Sequence, residues 1–256
     1  MQTHEETVQS QFDPRAAAYL TSAVHSAGPD LELAKVLVAH GVPAAAQALD
    51  IGCGAGHLSF ALAPHVAHLV AVDPSPSMLA AVSRTAAARQ LRQIETRQGT
   101  AESLPFADGT FQLACTRYSA HHWTRIEKAV RELSRVLAPG GHALVIDTLG
   151  QEDPLVDTFM QSMELLRDPS HVRNRSQAEW RSLMQSAGLS ELEHAEWPTR
   201  LDFASWVERM RTPAERVAVI RSLQDGAPRE VRQALRIEAD GSFTIQTGLF
   251  WLRKHA

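Results

Sequence analysis

The segment that decides the fold is Ala48-Leu49-Asp50-Ile51-Gly52-Cys53-Gly54-Ala55-Gly56-His57. Its short apolar run predicts a buried strand over 47–51, and the glycines after it predict a turn in which a ligand can approach the backbone closely. Residues 57–65, which follow, are predicted to be helical. In an open α/β sheet, ligands bind beyond the carboxyl ends of the strands. We therefore expect a mononucleotide or a dinucleotide at this turn.

The alternation of strand and helix continues along the chain. Alternating elements favour an α/β fold with a parallel sheet that is covered on both faces. No linker or repeat divides the sequence, which predicts a single domain with a core over 45–150 and a helical cover over 1–41, 151–187 and 203–240. Further strands are predicted at 68–72, 94–98, 111–117, 142–147, 189–201 and 243–252, and further helices at 15–25, 29–41, 75–89, 126–137, 153–167, 176–187 and within 203–238.

The composition disfavours several classes of protein. The chain has 256 residues, of which 44% are hydrophobic, so it can bury a core of ordinary size. The net charge of −4 and the lack of any basic run longer than two residues disfavour nucleic acid as a partner. The sequence shows neither a membrane span nor a signal peptide. The cysteines form no CxxC pair and the histidines no ligand motif, which predicts a cytoplasmic protein without a metal, whose oligomeric state stays open.

The glycine spacing and the acid before it select the ligand. The dinucleotide fingerprint GxGxxG requires a third glycine where this chain has His57. Asp50, two residues before the first glycine, would repel a pyrophosphate but suits a ligand with an ammonium and a sulfonium group, which is S-adenosylmethionine. Asp73 ends the second strand, 21 residues after Gly52, where an acid accepts hydrogen bonds from ribose hydroxyls. Asp73 fits NAD equally well, so the choice rests on Asp50 and the glycine spacing.

Four segments, ALDIGCGAGHLSFAL (48–62), VAVDPSPSML (70–79), GTAESLPFADGTFQLA (99–114) and LSRVLAPGGHALVID (133–147), together resemble class I S-adenosylmethionine-dependent methyltransferases. The branch that they are most similar to is the ubiquinone/menaquinone-biosynthesis methyltransferase group and its small-molecule relatives. The resemblance implies a Rossmann-like, doubly wound sheet of seven strands, mostly parallel with the last strand antiparallel. It also implies methyl transfer to the carbon, oxygen or nitrogen of a small quinone, phenol or heteroaromatic compound, with S-adenosylhomocysteine as the product.

The resemblance implies cofactor contacts position by position. Asp50 and the backbone of Gly52, Cys53 and Gly54 are expected to face the methionine part of the cofactor, and Asp73 its ribose. Further expected contacts are Gly56 in the glycine turn, Pro74 and Met78 beside the adenine, Glu102 after the third strand, Tyr19 at the cofactor's carboxylate, and Arg117, where the family uses a backbone carbonyl for the methionine ammonium.

One adenine contact departs from the family's pattern. The family usually has Gly-Asp-Ala-Glu after the third strand, and its aspartate accepts a hydrogen bond from the adenine amino group. This chain has Gly99-Thr100-Ala101-Glu102 instead. A threonine hydroxyl can accept the same hydrogen bond, but more weakly than a carboxylate. We expect Thr100 to bind adenine weakly, with the Ala101 backbone as a second contact.

The acceptor side offers four candidate catalytic residues. Methyl transfer is an in-line displacement, so a general base is needed only when the acceptor must lose a proton. His121 and His122 follow the fourth strand at the mouth of the expected site, and either could take the proton or simply pack. Asp147 ends the fifth strand on the ligand side, where it could also cap the next segment. His171 lies in a loop, in a DxSH context similar to one in the resembled branch.

Three other functions compete with small-molecule methyl transfer. A nucleic-acid methyltransferase is disfavoured because Thr116-Arg117-Tyr118-Ser119 stands where base-methylating enzymes resemble one another in an Asn/Asp-Pro-Pro-Tyr/Phe motif. A nicotinamide oxidoreductase is disfavoured by the missing GxGxxG. A protein that binds S-adenosylmethionine without catalysis is the third alternative, and the sequence does not exclude it.

Overall fold

Seven strands form one sheet in a computed structural model that describes residues 2–13 and 27–255. The predicted helix at 15–25 and Tyr19 lie outside the described residues. The strands are β1 Gln47–Ile51, β2 His68–Asp73, β3 Ile94–Gln98, β4 Phe111–Arg117, β5 Leu137–Leu149, β6 Leu189–Leu201 and β7 Phe243–Lys254. Their order is β3-β2-β1-β4-β5-β7-β6, and β7 runs antiparallel to both of its neighbours. The predicted mostly parallel sheet with an antiparallel last strand is confirmed.

Helices cover both faces of the sheet. The described α-helices are α1 His4–Phe12, α2 Pro29–Gly41, α3 His57–Leu62, α4 Pro76–Ala88, α5 Ile126–Val136, α6 Pro154–Arg167, α7 Gln177–Ser186, α8 Phe203–Arg209, α9 Ala214–Asp225 and α10 Arg229–Ala234. Short 3₁₀ turns lie at Ala63–His65 and Ala120–His122. None of the described helices is long and apolar enough to cross a membrane.

Helix α1 is the element that the sequence analysis missed. Its cap is a complete capping box, in which the Thr3 side chain accepts from the backbone N–H of Glu6 and the Glu6 carboxylate accepts from the backbone N–H of Thr3. The helix buries none of its side chains. It lacks the apolar stripe by which helices are recognised, so only the Thr-x-x-Glu signal could have identified it.

The parallel strands bring their carboxyl ends to one edge of the sheet. β1 pairs in parallel with β2 on one side and with β4 on the other, and β4 pairs in parallel with β5. Asp50, Asp73 and Arg117 therefore lie near the same edge, at the ends of three adjacent strands. Asp147, near the end of β5, pairs with Gly248 of the antiparallel strand β7.

Strand β5 begins five residues before its predicted start. Pro139-Gly140-Gly141 was expected to separate α5 from a strand at 142, yet Leu137 already pairs with Phe111. The register shifts between this pair and the next, Leu113 with His142, so the glycines form an irregularity inside the strand. Gly140 has a φ of 72°, which suits such a bend.

Three clusters of buried side chains hold the layers together. Leu133 on α5 packs with Leu49 and Ile51 on one face of the sheet. Val38 on α2 and Leu58 on α3 belong to the cluster on the other face. The third cluster joins α6, α8, α9 and β7 and includes Met160, Trp206, Ile220 and Phe243. This third cluster holds the helical cover beside the carboxyl edge of the sheet.

We expect Leu133→Ala to lower the free energy of unfolding by about 3 kcal/mol, because it empties a site that is 1% exposed in the α5 layer. The matched control is Leu165→Ala on α6, a leucine that is 54% exposed, which should cost about 0.5 kcal/mol or less. Urea unfolding of both variants measures the difference. Equal costs would contradict the packing described for α5.

Candidate active site

Two cavities adjoin each other at the carboxyl edge of the sheet. The β2-side cavity, of about 1020 Å³, is lined by the end of β2, the segment after β3 and helix α1. The β5-side cavity, of about 1110 Å³, is lined by the glycine turn, the segment after β4 and the helical cover. The residues that line both cavities are Phe12, Gly52, Gly54, Met78, Tyr118 and His122. A single elongated ligand can therefore occupy both.

The glycine turn is fastened to β2 by its own backbone. The N–H groups of Gly52 and Cys53 donate to the Val72 carbonyl at 2.8 and 2.9 Å. The N–H of Gly54 donates to Oδ2 of Asp73 at 2.9 Å. Gly54 has a φ of 51°, and nothing lies within 4 Å of where its Cβ would be. The turn thus presents bare backbone to both cavities at Gly54.

Asp73 is a buried carboxylate in the wall of the β2-side cavity. Besides Gly54, the backbone N–H of Ser75 donates to it, at Oδ1 and 2.9 Å. Burial raises the pKa of Asp73 to about 6, although both backbone hydrogen bonds favour the charged form. Each carboxylate oxygen has two lone pairs, so Asp73 can accept further hydrogen bonds from a ligand.

Asp50 is buried in the wall of the β5-side cavity and has an unsatisfied oxygen. Its Oδ2 accepts a hydrogen bond from Oγ of Ser59 at 2.6 Å, while Oδ1 has no hydrogen-bond partner. Burial, together with the nearby Asp73, raises the pKa of Asp50 to about 7, although the Ser59 hydrogen bond lowers it. A buried carboxylate oxygen without a partner is costly unless a ligand supplies a cation or a donor.

Arg117 also lines the β5-side cavity, and Asp30 forms an ion pair with its guanidinium. Its Nε lies 2.6 Å from Oδ2 of Asp30 on α2, and both side chains are 5% exposed. The guanidinium stacks over the Tyr118 ring at 4.6 Å. The sequence analysis expected only a backbone contact here, whereas the structure adds a positive side chain close enough to Asp50 to lower its pKa.

His121 and Asp147 form a hydrogen-bonded pair beside the β5-side cavity. Nδ1 of His121 lies 2.6 Å from Oδ1 of Asp147, and the backbone N–H of His121 donates to Oδ2 at 3.3 Å. Burial lowers the pKa of His121, but Asp147, Glu164 and Asp168 outweigh it, so that the pKa lies above its ordinary value of 6.5. With Nδ1 held by Asp147, Nε2 is the ring nitrogen that can take a proton.

The pKa of His122 is shifted in the opposite direction to that of His121. Its ring centroid lies 4.2 Å from that of His121, and its Nδ1 donates to the Ser170 carbonyl at 2.9 Å. Burial and the neighbouring His121 lower the pKa of His122 to about 4. Because the ring lines both cavities, a neutral imidazole stands where they meet.

Three predicted site residues do not line either cavity. Asp147 lies behind His121, where it can orient that ring but does not reach a ligand. His171 is buried, and its Nε2 lies 2.8 Å from Oε1 of Gln161, so the structure does not support its expected catalytic contact. Gly56 has a φ of 86°, and a Cβ there would lie 2.9 Å from both Phe60 and Val82. Gly56 is needed for packing α3 rather than for the expected cofactor contact.

The other predicted positions line the cavities. Thr100 and Glu102 lie in the wall of the β2-side cavity, although Oε1 of Glu102 already accepts from the backbone N–H of Thr124 at 3.1 Å. Pro74, Met78 and Ala101 line the same cavity, and Cys53 lines the β5-side cavity.

The sequence analysis missed several cavity residues. His4 and Phe12 of α1 close the β2-side cavity, and a ring nitrogen of His4 lies 3.0 Å from the His122 carbonyl. The capping box at Thr3 could have pointed to α1. Glu164, Arg167, Asp168, Asn174, Trp206 and Thr247 line the β5-side cavity. Glu164, Arg167 and Asp168 are close in sequence at the end of α6, but no spacing relates them to Asn174, Trp206 or Thr247, which tertiary packing brings to the same cavity. Among the described residues, no group of three or more His, Cys, Asp or Glu side chains could hold a metal.

Comparison with known proteins extends over most of the chain. Residues 49–145 match the family model described as a methyltransferase domain. YafE of Escherichia coli is 45% identical over 193 residues, which are 75% of this chain and 93% of that protein. The uncharacterized methyltransferase YcgJ of Bacillus subtilis is 36% identical over 231 residues, which are 90% of each chain. Its crystal structure has a TM-score of 0.84 and 34% identity over 89% of this chain and 98% of that one.

A demethylmenaquinone methyltransferase of Thermus thermophilus is 38% identical over 101 residues. These are only 39% of this chain and 46% of that protein. The family model itself ends at residue 145, before Asp147 and before the helical cover that lines the β5-side cavity. The family model therefore does not extend to the helical cover, whereas the similarity to YcgJ extends over 90% of the chain.

We expect Gly56→Ala to destabilise the protein more than Gly54→Ala. Both substitutions place a side chain at a positive φ, which costs about 1–2 kcal/mol. Only the Cβ at position 56 also overlaps Phe60 and Val82, which should add about 1 kcal/mol or more. Thermal unfolding of the ligand-free variants measures both, and an equal loss would show that Gly56 is not constrained by packing.

Proposed function

The chain belongs to the S-adenosylmethionine-dependent methyltransferase family, and from that premise we propose that it binds this cofactor across the two cavities and methylates a small molecule in the β5-side cavity. The observation that supports this most is the pair of buried carboxylates at adjacent strand ends, one in the wall of each cavity. We infer that Asp73 binds the ribose hydroxyls and that Asp50 binds the methionine ammonium.

The residues present fit the cofactor. Oδ1 of Asp50 is buried without a partner, so it needs a cationic donor such as an ammonium. Arg117 stands in the same cavity wall and suits the methionine carboxylate. Gly54 leaves open space between the two cavities, where a side chain would obstruct an elongated ligand. Thr100 and the Ala101 backbone line the far end of the β2-side cavity, where the adenine would lie.

When bound, S-adenosylmethionine supplies a methyl group that the acceptor attacks in line, and S-adenosylhomocysteine leaves. The chain's part is to remove the acceptor's proton and to exclude water. Nε2 of His121 takes the proton from the acceptor's O–H, N–H or acidic C–H. Asp147 stabilises the imidazolium that results, and the imidazolium loses this proton to solvent before the next cycle. Acceptors with such a proton are phenols, quinols and ring N–H compounds.

The helical cover has a matching role. Residues 151–187 and 203–240 supply the side of the β5-side cavity that faces away from the sheet, including Trp206 on α8 and Asn174 after α6. We propose that this cover binds the acceptor, while residues 45–150 bind the cofactor. Asp147 and His171 serve as positioning residues for His121 in this arrangement.

Calorimetry tests the cofactor assignment directly. We expect micromolar binding of S-adenosylmethionine and S-adenosylhomocysteine, no heat from NAD, and a large loss of affinity in Asp73→Ala. The exposed Asp225→Asn serves as the control and should bind as the wild type does. Absence of binding to either sulfur ligand would refute the proposed function.

Cofactor affinity should depend on pH through Asp50. Because the pKa of this carboxyl in the free protein is about 7, only its ionised fraction binds an ammonium, and affinity should fall about tenfold between pH 7 and pH 5.5. Asp50→Asn should bind weakly and lose most of this dependence, leaving only the smaller contribution of Asp73.

The thermal stability of Asp50→Asn without cofactor is a control that shows whether the variant is folded. A carboxyl whose folded-state pKa is raised stabilises the protein below its unfolded pKa of 3.8 and loses that contribution as pH rises through about 7. Asp50→Asn without cofactor should therefore have a higher Tm than the wild type at pH 8. A lower Tm would show that the variant is damaged and that its binding loss has another cause.

The two neighbouring histidines should titrate far apart. In NMR titrations of the imidazole carbons, we expect His121 to titrate above pH 6.5 and His122 to stay neutral down to about pH 4. Asp147→Asn should lower the pKa of His121, because it removes the charge that outweighs burial. His121→Ala should lower kcat about 10²- to 10⁴-fold with unchanged cofactor affinity. An unshifted His121 resonance in Asp147→Asn would exclude the pair as the base.

A further inference from the structure

Part of the β5-side cavity is lined by polar side chains that the cofactor contacts do not involve. Glu164, Arg167 and Asp168 come from the end of α6, and Asn174 comes from the segment after it. Glu164, Asp168 and Asn174 are 8%, 3% and 2% exposed, respectively. Buried polar groups persist where a partner satisfies them. The acceptor must therefore have polar groups that match these side chains, in addition to the proton that His121 removes.

Asn174 is the most informative of them, because its position is fixed and its donor is unsatisfied. Its backbone N–H donates to Oε1 of Gln161 at 3.1 Å, and its carbonyl accepts from Nε2 of Gln161 at 2.8 Å. On the other side, a Cβ at Gly150 would lie 2.6 Å from the Asn174 carbonyl oxygen, so β5 and α6 clamp this backbone. The side-chain Nδ2 is buried without a hydrogen-bond partner. A ligand oxygen in this cavity would satisfy it.

The two carboxylates present the complementary chemistry. Oδ1 of Asp168 accepts from the backbone N–H and the hydroxyl of Ser170, at 2.8 and 2.6 Å, which fixes its orientation. Glu164 lies 3.4 Å from Nη1 of Arg167, a long contact that leaves room for a second donor. Both carboxylates lie close enough to His121 to act on its charge. Ionised carboxylates only accept, so they suit hydroxyl or amino groups of a ligand.

A long apolar tail does not suit this wall. The Arg167 guanidinium stacks over the Trp206 ring at 4.9 Å, and its Nε donates to the Trp206 carbonyl at 2.9 Å. A polyprenyl chain against Arg167, Glu164 and Asp168 would offer no hydrogen-bond partner to any of their polar atoms. The similarity to demethylmenaquinone methyltransferases, which covers 39% of this chain, does not by itself assign a quinone acceptor.

From these contacts, and resting on the proposed function, we propose that the acceptor is a compact polar compound rather than a quinol with a polyprenyl tail. A carbonyl or carboxamide oxygen of the acceptor receives a hydrogen bond from Nδ2 of Asn174, while its hydroxyl or amino groups face Glu164 and Asp168. Asn174 is the specificity-determining residue of this site.

Matched pairs of acceptors test the proposal. A phenol, an N-heteroaromatic compound and a primary amine are each offered as the carboxamide and as the isopropyl isostere, alongside 2-geranyl-1,4-naphthoquinol. Formation of S-adenosylhomocysteine gives kcat/KM, and thermal shift of the S-adenosylhomocysteine complex gives binding without turnover. We expect the carboxamide of at least one pair to be preferred about tenfold or more in both measurements.

Two variants of the chain locate that preference. Asn174→Asp keeps the shape of the side chain and replaces its N–H donor by oxygen, so the carboxamide preference should disappear while S-adenosylhomocysteine affinity stays the same. Ser162→Ala on the same helix as Glu164 is the control: the Ser162 hydroxyl donates to the Thr158 carbonyl of its own helix and Ser162 does not line the cavity, so the variant should keep the preference.

Three outcomes would overturn the proposal. They are turnover of the naphthoquinol in preference to every carboxamide, a preference unchanged in Asn174→Asp, and a panel in which no carboxamide is preferred in turnover or in binding. The proposed function fails differently, through the absence of cofactor binding in the calorimetry described above. Absence of the acceptor preference in the wild type, with intact cofactor binding, thus refutes only this inference.

Discussion

The rest of the site depends on two carboxylates that folding removes from water at the ends of adjacent strands. Burial of Asp50 and Asp73 raises the pKa of each, so the ligand-free protein holds both at an electrostatic cost. The glycine turn reduces that cost through one backbone N–H, which Gly54 donates to Asp73. Ser59 reduces it for Asp50, but one oxygen of Asp50 remains without a partner. A cationic ligand would complete the site, which explains why the costly arrangement is kept.

The cofactor half of this architecture could be predicted because its determinants are local. Strands β1, β3, β4 and β6 have the predicted bounds. The first three are short runs of five to seven residues, whereas β6 extends over 13 residues. Asp50 and Asp73 could be identified from their spacing around the glycines, because parallel strands place their carboxyl ends at one edge. Gly56 belongs to the same motif, yet only the positions of Phe60 and Val82 show that it serves packing.

The acceptor half could not be predicted, because its determinants are far apart in the sequence. Asn174, Trp206 and Thr247 reach one cavity from three different parts of the chain, and no period or spacing relates them. Even His121 and Asp147, both recognised as candidates at strand ends, could not be paired without the register of β4 against β5. The bulge in β5 shows how readily that register departs from expectation, because Leu137 pairs five residues before the predicted strand begins.

The two adjacent histidines differ in pKa, and their hydrogen bonds contribute to the difference. Asp147 holds Nδ1 of His121 and favours its charged form, whereas the Ser170 carbonyl holds Nδ1 of His122 without supplying a charge. Burial lowers the pKa of His122, and repulsion from an imidazolium at His121, whose ring centroid is 4.2 Å away, adds to this effect, so the pKa falls to about 4 and the first proton goes to His121. His122 lines both cavities. A neutral ring there adds no positive charge where the cavities meet, while an imidazolium at His121 would form one residue away, beside the Asp147 carboxylate that stabilises it.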